Sequence, residues 1–311
     1  MIAALSWLGR QGPRALVVLF IVAMAVPMLG DLLRPYVGEG VFALLVLAFL
    51  RIDPERLRAT VRQPRVAILS LVWCMIAVPL GALALLRLFG VDTAAPQLFL
   101  ALMMQVVTMP MMATPSIATM IGLDGTVALV AVVLAGLSMP ILAPAIVALA
   151  DVPVDLPPLR LALLLGGMLA GSAAVGLAIR AALGAGRIIR YREALDGINV
   201  IVMFIFAAAV MGDVVPTALQ DPWGMAVLGV IAIGANVGLL TVSFLVLRPA
   251  GSRTALALAI TSSQRNMGLI LAVAGAALPE TVWLYVAMGQ FPIYFAAMVL
   301  KRVAGLLKES D

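Results

Sequence analysis

Long apolar runs separated by short polar segments fill this chain from one end to the other. A helix that crosses the hydrocarbon core of a membrane needs about 20 apolar residues, within a range of about 17–25. Ten segments approach or meet that length: 14–30, 36–51, 65–89, 96–122, 126–150, 158–183, 195–212, 223–247, 254–278 and 281–303. Turn-forming residues separate them at Asp53-Pro54, Asp92, Asp151-Val152-Pro153, Asp221-Pro222 and Pro279. Arg10 and Arg14 ahead of the first run also give the outline of a signal peptide. The length of that run, and the further spans behind it, favour a retained first span. The pattern predicts an all-α polytopic membrane protein with one transmembrane domain over 1–311.

Two of the runs are interrupted. The fourth contains Pro110 and Pro115, each of which removes a backbone donor and clashes with the preceding turn. The ninth contains a polar island, Thr261-Ser262-Ser263-Gln264-Arg265-Asn266, between apolar flanks. Discontinuous helices near Pro110–Pro115 and Ser262–Asn266 are therefore expected. Carbonyls and amides freed at such breaks must be satisfied by protein, water or ligand. The breaks fall five spans apart, and basic loops follow both the second and the sixth spans. That spacing predicts two five-helix repeats of opposite topology, 1–150 and 158–308, a recurrent design of secondary transporters.

Charge fixes the orientation. With the N-terminus cytoplasmic, inner segments carry Arg10 and Arg14, then Arg51, Arg56, Arg58, Arg62 and Arg65, then Arg180, Arg187, Arg190 and Arg192. Arg248, Arg253, Lys301, Arg302 and Lys308 complete sixteen of the 20 basic residues. Arg34, Arg87 and Arg160 alone fall outside, among acids that include Asp31, Glu39, Asp213 and Glu280. This is the positive-inside distribution, and it places both termini in the cytoplasm of a bacterial-type inner membrane. The remaining basic residue, Arg265, lies within an apolar run. A charge at that depth costs at least ~2.5–3.5 kcal/mol on insertion scales, and such residues mark ion or substrate sites facing protein or water.

Composition removes other classes. The chain is 64% hydrophobic and 11% charged, against roughly 45–50% and about 25% in soluble domains. Histidine is absent and cysteine occurs once, as Cys74, so no Ser-His-Asp set and no internal disulfide can form. No metal-ligand spacing and no phosphate loop occur. No enzyme, cofactor, metal site or nucleic-acid partner is expected; the arginine loops account for the basic charge. The expected partners are the lipid bilayer and a small-molecule solute, with the chain acting as a monomer.

Several segments resemble the bile acid:sodium symporter family. They are Ile52-Asp53-Pro54-Glu55-Arg56-Leu57, Gln63-Pro64-Arg65-Val66 and Val78-Pro79 around the third span. After the fourth come Gly125-Thr126-Val127-Ala128-Leu129 and Pro140-Ile141-Leu142-Ala143-Pro144. In the ninth lie Leu258-Ala259-Ile260 and Asn266-Met267-Gly268-Leu269. The resemblance implies ten helices, with spans 1, 2, 6 and 7 as a panel and spans 3–5 and 8–10 as a core. It implies that helices four and nine cross in the core, beside a substrate cavity between the two groups. It also implies departures from sodium chemistry. The family's ninth-span carboxylate falls on Thr261 and its Gln on Arg265, leaving Asn266. A fourth-span Ser-Asn becomes Ser116-Ile117, a third-span Gln becomes Cys74, and fifth-span hydroxyls fall on Val130 and Leu134.

The expected function is secondary transport of a small organic anion or amphipathic solute by alternating access. In one reading Arg265 replaces the coupling cation, held by exposed carbonyls and by Thr114, Ser116 or Gln264. In a second it anchors an anionic substrate directly, since guanidinium grips carboxylate or sulfate in bidentate fashion. A sodium symporter with relocated ligands and a non-transporting membrane sensor or scaffold are the alternatives. Candidate site residues are Arg265, Asn266, Gln264, Ser263, Thr261, Thr114, Ser116, Thr108, Asn236 and Gln290. Asn199 and Tyr294 read more readily as helix–helix contacts.

Overall fold

The apolar runs fold as helices throughout the computed structural model, which describes residues 2–52, 64–152 and 154–292. Ten principal helices occur among them, here numbered α1 (Ile2–Ala25), α2 (Val37–Arg51), α3 (Arg65–Leu88), α4a (Pro96–Val107) with α4b (Thr114–Met120), and α5 (Gly125–Leu149). After these come α6 (Pro158–Leu183), α7 (Arg192–Met211), α8 (Pro222–Leu247), α9a (Ser252–Ser263) with α9b (Met267–Ala274), and α10 (280–292). Among the described residues, six continuous stretches are long and apolar enough to cross a membrane: Met28–Arg51, Arg65–Leu88, Gly125–Leu149, Pro158–Leu183, Arg192–Gln220 and Pro222–Ala250. The protein is thus an all-α, multi-pass membrane protein. Leu137 and Ile141 on α5, Leu163 on α6 and Val230 on α8 are more than two-thirds exposed, the apolar outer surface that lipid requires.

Local chemistry sets most helix ends. Asp124 and Asp221 cap α5 and α8, their carboxylates accepting from Thr126 N at 2.8 Å and Gly224 N at 2.9 Å. Gly184, at φ 76°, ends α6 in a conformation that a side chain disfavours. The first helix departs from expectation. It starts at Ile2 rather than near residue 14, and it stops at Ala25 because Pro27 follows. The stretch to residue 36 is then a short helix, Met28–Leu33, and a 3₁₀ turn, Arg34–Tyr36. Asp53, Arg56 and the rest of the loop 53–63 lie outside the described residues, as do Tyr294 and the basic residues after it.

α1 lies along α7, in the most extensive contact of the molecule. Glycine permits the approach. A Cβ on Gly197 would fall 2.0 Å from Leu5 O, and one on Gly9 would fall 2.0 Å from Glu193 O. α2 packs against α6 and α7; α5 packs against α3, α4b, α6 and α9a; α8 packs against α9a. Ion pairs mark the two ends. Arg10–Glu193 and Arg51–Asp196, both 2.8 Å, lie at the basic end. Arg34 joins Asp213 at 2.8 Å and Glu280 at 2.6 Å at the acidic end. Exposed pairs of this kind stabilise little; their value here is to show which loops share a face.

Candidate functional site

Both expected breaks occur, and they meet. α4a ends at Val107 and α4b begins at Thr114; α9a ends at Ser263 and α9b begins at Met267. The two unwound segments run antiparallel as an isolated bridge centred on Pro110 and Arg265. Met111 N donates to Gln264 O at 2.8 Å, and Asn266 N donates to Met109 O at 2.9 Å. Pro110 and Arg265 thereby form a pair that exchanges no hydrogen bond. Proline's missing N–H costs nothing at such a position, so Pro110 both breaks the helix and fits the bridge that follows.

Each break frees carbonyls, and most of those nearby can be accounted for. Ser262 O would receive Asn266 N in a continuous helix, but that amide has gone to Met109. Thr108 O lies at the end of α4a, where the chain turns to an extended conformation at ψ 152°. A third free carbonyl comes from α3, where residues Trp73–Ala77 form a π-helical turn and Val78 N bonds back to Trp73 O. The next donor in that register is residue 79, which would serve Cys74 O, and it is a proline. Cys74 O therefore has no backbone donor.

Arg265 satisfies all three. Its Nε donates to Ser262 O at 2.6 Å, and its Nη1 donates to Thr108 O at 2.8 Å and Cys74 O at 3.0 Å. Arg265 is 2% exposed and is the largest fully buried side chain among the described residues. It sits at the C-terminal ends of α4a and α9a, where aligned peptide dipoles leave negative partial charge. Three carbonyls and two helix ends thus offset a charge that has no carboxylate partner among the described residues. Nη2 makes no hydrogen bond, and neither do Nε2 and Oε1 of Gln264, which is fully buried.

The other candidates divide. Asn236 Nδ2 donates to Ser263 O at 2.9 Å and so satisfies another carbonyl of the break. Gln290 Nε2 donates to Val286 O at 3.3 Å within its own helix. Arg265, Ser263, Asn236 and Gln290 line a cavity of about 10 Å³ with Gln105, room for one water. Thr261 Oγ1 bonds Ala257 O at 2.7 Å, Ser263 Oγ bonds Ile260 O at 3.1 Å, and Thr108 Oγ1 bonds Gln105 O at 2.8 Å, all within their own helices. The expected side-chain grip on Arg265 is corrected on every count. Thr114 Oγ1 goes to Met111 O at 2.8 Å, Ser116 is exposed on α4b, and the Gln264 amide is unbonded. Asn266 contributes its backbone, and its side chain does not cap α9b.

Two participants were not among the candidate site residues, although the family resemblance puts Cys74 at a third-span ligand position. Cys74 enters through its carbonyl, and its Sγ lies 3.3 Å from Ser262 Oγ. Gln105 accepts from the Tyr285 hydroxyl, tying α4a to α10. An amide in an apolar helix was a visible signal; its partner 180 positions away was not.

A larger cleft of about 1000 Å³ opens at the acidic end. Its walls are the turn before α2, α2 itself, Met168 of α6, α9b with the segment behind it, and Trp283 of α10. Leu271 and Ala272 on its wall are about one turn of α9b from the crossing. Arg34 closes one side, paired with Asp213 and Glu280 and stacked 4.1 Å over the Trp283 ring. Arg265 does not line this cleft. Compared with known proteins, the chain matches no protein-family model and no curated protein.

Proposed function

We propose that this protein is a secondary transporter that moves a small organic or amphipathic solute by alternating access, with the Arg265 guanidinium standing where a coupling cation would otherwise bind. One observation carries this reading: carbonyls of α3, α4a and α9a converge on one buried cation that belongs to the chain. A bound metal ion would draw oxygens from the same broken helices, and it would be free to leave. A tethered guanidinium is not, so transport driven by a sodium gradient is not expected. The commitment of Nε and Nη1 to carbonyls favours the role of ion substitute over that of substrate anchor.

The carrier reading has further support. α1 contacts α7, and α7 and α6 contact α2; α3 and α4b contact α5, and α5, α4b and α8 contact α9a. The two groups meet where α5 packs on α6 and α9b packs on α2 and α6, and α2 and α9b both line the cleft. That grouping suits a panel and a core that rock against each other. Ten spans in two inverted halves, with the basic end cytoplasmic in a bacterial-type inner membrane, complete the proposal. Membership of the bile acid:sodium symporter family rests on the segments quoted above. The arrangement suits a carrier rather than an enzyme.

Alternating access predicts that the cleft opens and closes. Spin labels at Pro35→Cys and Ala276→Cys, on opposite walls of the cleft, measure its width by pulsed dipolar spectroscopy in lipid nanodiscs. Two distance populations are expected, with their ratio shifted by Glu280→Gln, which releases one of the two carboxylates that hold Arg34 on the cleft wall. A single narrow distance that no condition alters contradicts the carrier reading.

A further inference from the structure

We infer that the cleft at the acidic end takes a cationic amphipath, an organic cation with an apolar body. The inference deepens the transport reading by naming the charge of the solute, and it rests on that reading only for the consequence that the bound solute is carried. The anionic expectation came from Arg265 as an anchor, and Arg265 is buried elsewhere. The charge of the ligand must therefore be read from the cleft itself.

Three side chains with formal charge line it: Asp31, Arg34 and Glu39. Arg34 is already engaged. Nη1 holds Asp213 at 2.8 Å, Nη2 holds Glu280 at 2.6 Å, and the guanidinium face lies on Trp283. An incoming anion would have to displace two carboxylates and a ring to reach it. Asp31 and Glu39 are exposed and pair with no described residue. Asp213 and Glu280, the partners of Arg34, already offset its charge, so the two lining carboxylates are left without a cation of their own. A field of that sign concentrates cations and repels anions before contact is made.

Below the mouth the wall is apolar. Val37, Phe42, Met168, Leu271 and Val273 line it, and the cleft runs about 8 Å along α2 from Val37 to Phe42. This depth accepts the body of a compact aromatic or aliphatic solute while its charged group stays at Asp31 and Glu39. Apolar walls with a few convergent polar groups are the usual composition of small-molecule sites. The volume, the apolar wall and the unpaired carboxylates together specify both ends of the ligand.

Two water-soluble probes of similar size and opposite charge test this: benzyltrimethylammonium and benzenesulfonate. Binding is measured by isothermal titration calorimetry on the full chain in phosphatidylcholine nanodiscs, with empty nanodiscs subtracted. Saturable binding of the cation and none of the anion is expected. The Asp31→Asn/Glu39→Gln variant, with an unchanged melting temperature, should weaken the cation by about tenfold or more, the loss of two partly screened contacts. Equal or tighter binding of the anion, no binding of either probe, or a variant with wild-type affinity overturns the inference. Counterflow of labelled benzyltrimethylammonium in proteoliposomes separates the two claims. Carboxylate-dependent binding without counterflow keeps the cation site and removes the carrier reading. Counterflow of benzenesulfonate alone keeps the carrier and removes the cation site.

Discussion

At the scale of single residues, Arg265 is held by backbone, and this decides what substitution does. Arg265→Ala leaves the carbonyls of Ser262, Thr108 and Cys74 without donors. Unpaired buried groups cost roughly 1–3 kcal/mol each, so the melting temperature should fall by on the order of 5 °C or more. Arg265→Lys should recover part of that loss in a thermal-denaturation series, since an ammonium has three donors but no planar fork. Equal melting of both variants and wild type would remove the structural role. Pro79 is predicted to matter for the same reason. Pro79→Ala supplies the missing N–H, which competes with Arg265 for Cys74 O. The variant should melt no lower than wild type, yet Arg265→Ala should cost less in its background, a coupling that a double-mutant cycle reads directly. Additive effects would contradict the orphan-carbonyl account. Arg265 was legible in the sequence because a lone charge in an apolar run stands out. That exposed carbonyls of the broken helices would hold it was expected; which carbonyls was not, because a carbonyl leaves no trace in residue identity, and the side chains named with them make no bond to it.

At the scale of elements, the breaks of the fourth and ninth helices were legible for different reasons, proline in one and six consecutive polar residues in the other. That they pair as a two-stranded bridge was not, since the pairing joins residues 155 positions apart through backbone alone. The early start of α1 was misread because Arg10 looked like a flank, whereas it pairs with Glu193 on α7. The α1–α7 contact depends on glycine at its closest point, and Gly197→Leu should separate the helices. A Cβ there meets Leu5 O at 2.0 Å, while nothing lies within 4 Å of one at Gly238 on α8. Overpacking of a tight contact costs typically ~1–3 kcal/mol. Gly197→Leu should therefore lower the melting temperature by several degrees, and Gly238→Leu should leave it unchanged. Loss of stability in both, or in neither, would show that close approach is not what the glycine provides.

For the molecule as a whole, hydropathy and arginine placement were enough to establish an all-α, multi-pass protein, because lipid imposes length and charge rules on every segment alike. The resemblance implied a cavity between two groups of helices, but its walls were beyond reach, since residues 31–42, Met168 and residues 271–283 form them together. The two sites share the labour in the proposed carrier: a permanently bound guanidinium sets the helix crossing, and an acidic cleft admits the solute. The central claim is that the guanidinium already occupies the place of a coupling cation. The most direct test is the melting temperature of the purified wild-type protein, titrated with sodium chloride against potassium chloride at equal ionic strength. The account predicts two superimposable curves, because the guanidinium leaves no site for an inorganic cation at the helix crossing. A saturable rise specific to sodium would contradict it.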